Sequence, residues 1–116
     1  MKFPWWLPLG GVPEIAVDEL AATLENGSQP QIVDVRSASE YSAGHIRGAI
    51  SAPIQSFRQT YPTLGLDANR PVVVICRTAH RSIPATRLLN NDGYDARQLA
   101  RGMNAWWGQD LPTVSG

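Results

Sequence analysis

Val72-Val73-Val74-Ile75-Cys76-Arg77-Thr78-Ala79-His80-Arg81-Ser82 is the stretch on which the reading of the fold turns. Its first four residues form an uninterrupted apolar run led by Pro71, without the polar alternation of a strand wet on one face. The run predicts a strand buried on both faces, at the centre of a parallel sheet. Residues 81 to 92 then read as a helix, because Ala85, Leu88 and Leu89 form an apolar stripe and Gly93 supplies a stop. Pro84 is compatible with that helix only in its first turn, which places Ser82 near the helix start. Cys76 therefore lies at the carboxyl end of the central strand.

Working outward, Val17, Leu20, Ala21 and Leu24 share one helical face, and Asn26-Gly27 ends a helix of about 17 to 26. Gln31 to Arg36 is rich in β-branched residues and reads as a second strand. A brief helical turn follows, capped by Ser37 or Ser39 and ended by Gly44, before Ala49-Ile50 resumes an extended path. Ile54, Phe57 and Tyr61 recur at helical spacing behind Pro53, and Pro62 is expected to close that helix. A short strand around Asp95 to Leu99 and a helix near 103 to 108, carrying Met103, Trp106 and Trp107, complete the alternation. The order predicts a three-layer α/β domain, with a mostly parallel central sheet of about five strands flanked by helices. Ligands in such folds sit beyond the carboxyl ends of the strands.

The chain has 116 residues, 43% hydrophobic and 17% charged, with ten Lys plus Arg against ten Asp plus Glu. This length gives one domain that removes somewhat under roughly 70% of its unfolded surface from water, enough for a core without staples. A formal net charge of zero gives no long-range attraction to phosphate backbones or anionic lipid, so neither nucleic-acid nor membrane binding is expected. One cysteine cannot form an internal disulfide, and with only His45 and His80 beside it there is no zinc-ligand spacing. Residues 1–13 read as a Trp/Pro-rich arm ahead of a domain over 14–116, with Phe3, Trp5, Trp6, Leu7 and Leu9 set among prolines. The arm is too short to span a bilayer, which needs about 20 apolar residues, and lacks the pattern of a cleaved signal. Its tryptophans are expected to lie over the domain surface, the alternative being contact with a partner or a membrane interface. A lone thiol and no signal point to a reducing cytoplasm.

From Cys76 to Arg81 the chain sets one thiol, two guanidiniums, a hydroxyl and an imidazole together. A helix N-terminus carries partial positive charge, a tight strand-to-helix loop can aim successive N–H groups inward as an anion nest, and Arg77 and Arg81 add full charges. All three favour thiolate over thiol and would hold an incoming oxyanion. An inert core cysteine needs neither the arginines nor a place at a strand end. His80 is not required as a base, since an ionised thiolate needs none.

Asp34-Val35-Arg36, then Glu40-Tyr41 and Gly44-His45-Ile46-Arg47-Gly48-Ala49-Ile50, then the Cys76 to Ser82 loop and Gly102-Met103-Asn104-Ala105-Trp106 stand in an order that resembles the rhodanese-like domains, specifically the single-domain sulfurtransferases. The likeness runs from about residue 14 to Pro112. It implies that Cys76 is the sulfur-accepting nucleophile and that Arg77, Thr78, Ala79, His80 and Arg81, with Ser82 closing the loop, cradle it and the anionic donor. It further implies that Asp34, Arg36, Glu40 and His45 are structural support, and the spacing of Arg36 and Glu40 suits an ion pair if a helical turn begins there. Two departures stand out. The family's loop glycine is Ala79, and the first glycine of the pair before the last helix is Arg101.

The implied reaction moves sulfane sulfur from thiosulfate or a persulfide donor through a Cys76 persulfide to a thiol, a protein acceptor or cyanide, with no metal or organic cofactor. No second cysteine is present to resolve the persulfide internally. A cysteine phosphatase or arsenate reductase would place arginine six residues after the cysteine, where this chain has Ser82. The alternative is a non-catalytic or regulatory interaction module, which the Trp-rich arm would support; modules of that kind in the resembled family often lack the cysteine, whereas this chain keeps it and its arginines. The physiological donor and acceptor, and the oligomeric state, are not encoded in these motifs.

Overall fold

Val72 to Ile75 divides its side chains between two cores, and that division organises the molecule. The computed structural model describes residues 5–7 and 11–116. In the strand β4 (Val72–Ile75), Val73 and Ile75 pack among Leu20, Ile32, Met103 and Trp106. Val72, Val74 and Cys76 instead pack among Val33, Phe57, Ala85 and Leu89. A period of two sends neighbouring residues to opposite faces, so an all-apolar strand needs cover on both.

That cover is supplied by α1 (Val17–Glu25) and α5 (Gly102–Gly108) on one face, and by α3 (Phe57–Thr60) and α4 (Ser82–Asn91) on the other. The sheet between them has five strands, all parallel, in the order β1-β5-β4-β2-β3. β2 (Gln31–Asp34) and β5 (Ala96–Leu99) flank the central strand, with β1 (Glu14–Ile15) and β3 (Ile50–Ser51) at the edges. The three-layer α/β prediction therefore stands. α2 (Ala38–Ala43) follows β2 and begins with a capping box: Ser37 Oγ accepts from the Glu40 amide, while Glu40 Oε1 accepts from the Ser37 amide.

Local departures have physical causes. β2 stops at Asp34, two residues before the predicted end, because the Asp34 carboxylate accepts from the Arg36 amide and turns the chain out of the sheet. The helix predicted through Ile54, Phe57 and Tyr61 is broken into a 3₁₀ turn at Ile54–Ser56, the single turn α3, and a second 3₁₀ turn at Tyr61–Thr63. Pro62 sits inside that last turn instead of closing a helix, since a proline near a turn's start forfeits no hydrogen bond. β1 is an addition: the Gln98 amide donates to Pro13 O and the Ala100 amide to Ile15 O, which draws two residues onto the sheet edge.

Of the N-terminal arm, residues 5–7 and 11–13 are described. Arg87 on α4 donates to the carbonyl oxygens of Leu7, at 2.7 Å, and Trp5, at 3.4 Å. Trp5 is half-buried, but Trp6 is 60% exposed, so the expectation that the tryptophans lie over the domain surface fails for Trp6. Phe3, Pro4 and Leu9 lie outside the described residues. Among the described residues no helix is long and apolar enough to cross a membrane.

Candidate active site

Cys76 is 1% exposed, immediately beyond β4, and α4 begins six residues later at Ser82. Its Sγ lies 3.3 Å from Ser82 Oγ. Between them the backbone N–H groups of residues 77–82 find no acceptor among the described residues, the first helical bond of the turn being Ile83 N–H to Ala79 O. Unpaired amides at the start of a ten-residue helix form a site for negative charge. Ala79 lies outside the left-handed region, so replacing the family's glycine there costs no backbone strain.

α5 holds the loop from the other side. Its Met103 and Asn104 amides donate to Cys76 O at 2.9 Å and Arg77 O at 3.0 Å. This contact requires Gly102, at φ +55°, where a Cβ would stand 2.2 Å from Cys76 O. Arg101 also has positive φ, at +62°, which for a non-glycine residue costs about 1–2 kcal/mol. Its side chain is exposed and, among the described residues, makes no hydrogen bond or ion pair with the loop, so the departure from glycine falls on backbone strain and leaves the cradle open.

The predicted support residues come together, with different partners from those expected. Arg36 does not pair with Glu40. Ser37 is the cap of α2, so Arg36 lies outside the helix and the four-residue rule does not reach it. Instead Arg36 and Asp34, 1% and 0% exposed, form a bidentate pair, Nη2 to Oδ2 at 2.8 Å and Nε to Oδ1 at 3.0 Å. Arg36 Nη2 also donates to Gly44 O at 2.7 Å, and its guanidinium stands 5.7 Å from the Trp107 ring centre. Glu40 pairs with Arg81, Nη1 to Oε1 at 2.6 Å and Nη2 to Oε2 at 3.1 Å. Thus Arg81, expected to draw in the donor, is committed to a carboxylate, whereas Arg77 is exposed with only a 3.5 Å contact to Asn104 Oδ1.

His45 is buried, stacked on Tyr41 at 3.7 Å between ring centres, with Nδ1 2.8 Å from Tyr41 O. Its backbone pairs with Val114 and ties down the C-terminal tail. Thr78 and His80 are exposed. A hollow of about 360 Å³ beside the loop is lined by Arg36, Glu40, Gly44, Arg77, Trp107 and Thr113. A larger groove of about 920 Å³ begins at the amino end of β2, among Leu24, Pro30, Ile32, Gly48, Leu66 and Trp106, and its lining holds neither cysteine nor histidine. Among the described residues no cluster of three or more metal-ligating side chains occurs.

A family model described as the rhodanese-like domain matches residues 16–109. The chain belongs to the rhodanese-like domain family. Relatives include the human thiosulfate:glutathione sulfurtransferase, 31% identical over 84% of this chain and 96% of that protein. The HTH-type transcriptional regulator Rv0324 of Mycobacterium tuberculosis is 36% identical over 91% of this chain, which spans 47% of the regulator's length. Among solved structures, the Alr3790 protein from Anabaena superposes with a TM-score of 0.80 at 29% identity, covering 88% of this chain and 82% of that one.

Within this rhodanese-like domain the Glu40–Arg81 pair links α2 to the cysteine loop and carries a pH signature. Hydrogen bonds from Arg81, reinforced by Ser37, hold the Glu40 carboxyl down at about 2, from an ordinary 4.5. A carboxylate with a depressed pKa contributes stability that is fully present above the unfolded value and is lost as pH falls through the folded one. Glu40→Gln is therefore expected to cost about 1 kcal/mol near neutral pH, and the deficit should shrink between pH 4.5 and about 2. Urea unfolding of both proteins across that range checks it; a deficit independent of pH would contradict the pairing.

Three residues at the site were not singled out from sequence: Trp107 as a wall of the hollow, and Gln98 with Glu14 behind the thiol. Gln98 is 4% exposed on β5, and a glutamine at an inward strand position is the signal that was available.

Proposed function

We propose that this chain is a thiosulfate-using sulfurtransferase in which Cys76 carries the sulfur. The observation that carries this reading is the placement of the Cys76 Sγ at the foot of a loop whose amides, 77–82, have no acceptor of their own among the described residues. The Cys76 thiolate attacks the outer sulfur of thiosulfate, the S–S bond to the sulfonate breaks, and sulfite leaves with the bonding electron pair. A persulfide remains on Cys76. An acceptor thiolate, or cyanide in the test tube, then attacks that outer sulfur and leaves as a persulfide or thiocyanate, returning the Cys76 thiolate.

The unpaired amides would hold the anionic donor and then the terminal persulfide sulfur, and Arg77 would draw anions to the mouth. A small acceptor thiol is supported by the likeness to the human thiosulfate:glutathione enzyme. What speaks against phosphoryl transfer is the position six after Cys76, which holds the buried Ser82, bonded to Gln98, in place of a guanidinium that would clamp the phosphate.

Two-substrate kinetics test the proposal. With thiosulfate and either glutathione or cyanide varied together, double-reciprocal plots should give parallel lines, since sulfite leaves before the acceptor binds. Intersecting lines would place both substrates on the enzyme at once and overturn the persulfide route.

A further inference from the structure

Behind the thiol a chain of polar side chains crosses the sheet to its edge. Cys76 Sγ is 3.3 Å from Ser82 Oγ, Ser82 Oγ is 2.6 Å from Gln98 Oε1, and Gln98 Nε2 donates to Glu14 Oε2 at 2.9 Å. Ser82, Gln98 and Cys76 are all buried, and Glu14 is exposed on β1, directly beside Gln98 in the strand register. The Ser82 hydroxyl has one proton, and two of its neighbours, Gln98 Oε1 and Ala79 O at 3.2 Å, can only accept. With its proton on Gln98, it can only accept from Cys76. An ionised thiol gives nothing to accept and asks for a donor.

The orientation of Gln98 decides the matter. If its amide turned over, Nε2 would donate to Ser82 and release the hydroxyl proton toward the sulfur. That turn sets Oε1 against the Glu14 carboxylate, acceptor against acceptor. We infer that Glu14 is a positioning residue for Cys76: by fixing the Gln98 amide it aims the Ser82 proton away from the sulfur and restrains ionisation of the thiol. The role in catalysis rests on Cys76 being the nucleophile proposed above, but the relay itself does not.

The test reads the thiol directly, with no sulfur donor present, so its failure is separate from failure of the sulfur-transfer reading. The thiolate's ultraviolet absorbance is titrated against pH in the whole chain, as the difference from Cys76→Ser. Glu14→Gln leaves a neutral amide that can donate or accept, so Gln98 is free to turn. The midpoint should fall by roughly one pH unit, the worth of one hydrogen bond to a charged sulfur. The charged groups around the thiol are Arg77, His80 and Arg81 on its loop, Asp34 and Arg36 at the end of β2, and Glu40 on α2; none changes in these variants. Near Glu14, Arg97 pairs with Asp95, and Arg101 lies beyond the strand.

Removing a negative charge would also favour the thiolate through space, and a second background separates the two causes. In Ser82→Ala only the through-space part remains, so Glu14→Gln should lower the midpoint by clearly less than it does in the native chain. Gln98→Leu serves as an independent way of cutting the relay, should Ser82→Ala fail to fold, and gives the same expectation. No fall in the Glu14→Gln midpoint, or an equal fall with the relay cut, would overturn the inference.

Discussion

Gly102→Ala is expected to destabilise the fold by about 3 kcal/mol or more, the sum of a left-handed backbone and a steric conflict. The added Cβ would meet Cys76 O at 2.2 Å and the Arg77 carbonyl carbon and oxygen at 2.8 Å, all of them backbone atoms that no rotamer change can move aside. To relieve the contact, α5 must back away from the cysteine loop, giving up the bonds from the Met103 and Asn104 amides. Gly27→Ala is the comparison. Gly27 has φ +81° and nothing within 4 Å of its would-be Cβ, so only the backbone cost of about 1 kcal/mol applies. Urea unfolding of the two variants separates strain from collision. Equal losses would show that α5 does not press on the loop.

Asp34→Ala should cost about 3–5 kcal/mol, because it leaves the Arg36 guanidinium buried without its carboxylate. Of the groups around that cation, Gly44 O and the Trp107 ring remain, and neither carries a compensating charge. The pair's own net worth is smaller than this loss suggests, since both ions were taken out of water to make it. The double variant Asp34→Ala/Arg36→Met should therefore be more stable than Asp34→Ala alone. Chemical denaturation of the native chain, Asp34→Ala, Arg36→Met and the double variant measures this coupling. A double variant as damaged as the sum of its parts would mean the two residues act independently.

The central strand and α4 could be read from sequence because their signals are local: an unbroken apolar run, a proline tolerable only in a first turn, a glycine stop. The site loop was readable for the same reason, lying within the one segment Cys76 to Ser82. What the sequence hid depends on partners brought in by the sheet. Glu40 meets Arg81 across 41 positions, and Gln98 meets Glu14 across 84. β1 was hidden because two residues carry no period, and only the edge of β5 makes them a strand. The Arg36 partner was misread from a spacing rule that holds inside helices, one residue ahead of the cap that begins one.

The central claim, that sulfur is carried on Cys76, is tested most directly by the intact mass of the reduced protein after thiosulfate treatment, beside a Cys76→Ser control. A gain of one sulfur atom on the native chain alone, removed by cyanide with release of thiocyanate, is the predicted result. An unchanged mass, or the same gain on the serine variant, would contradict it.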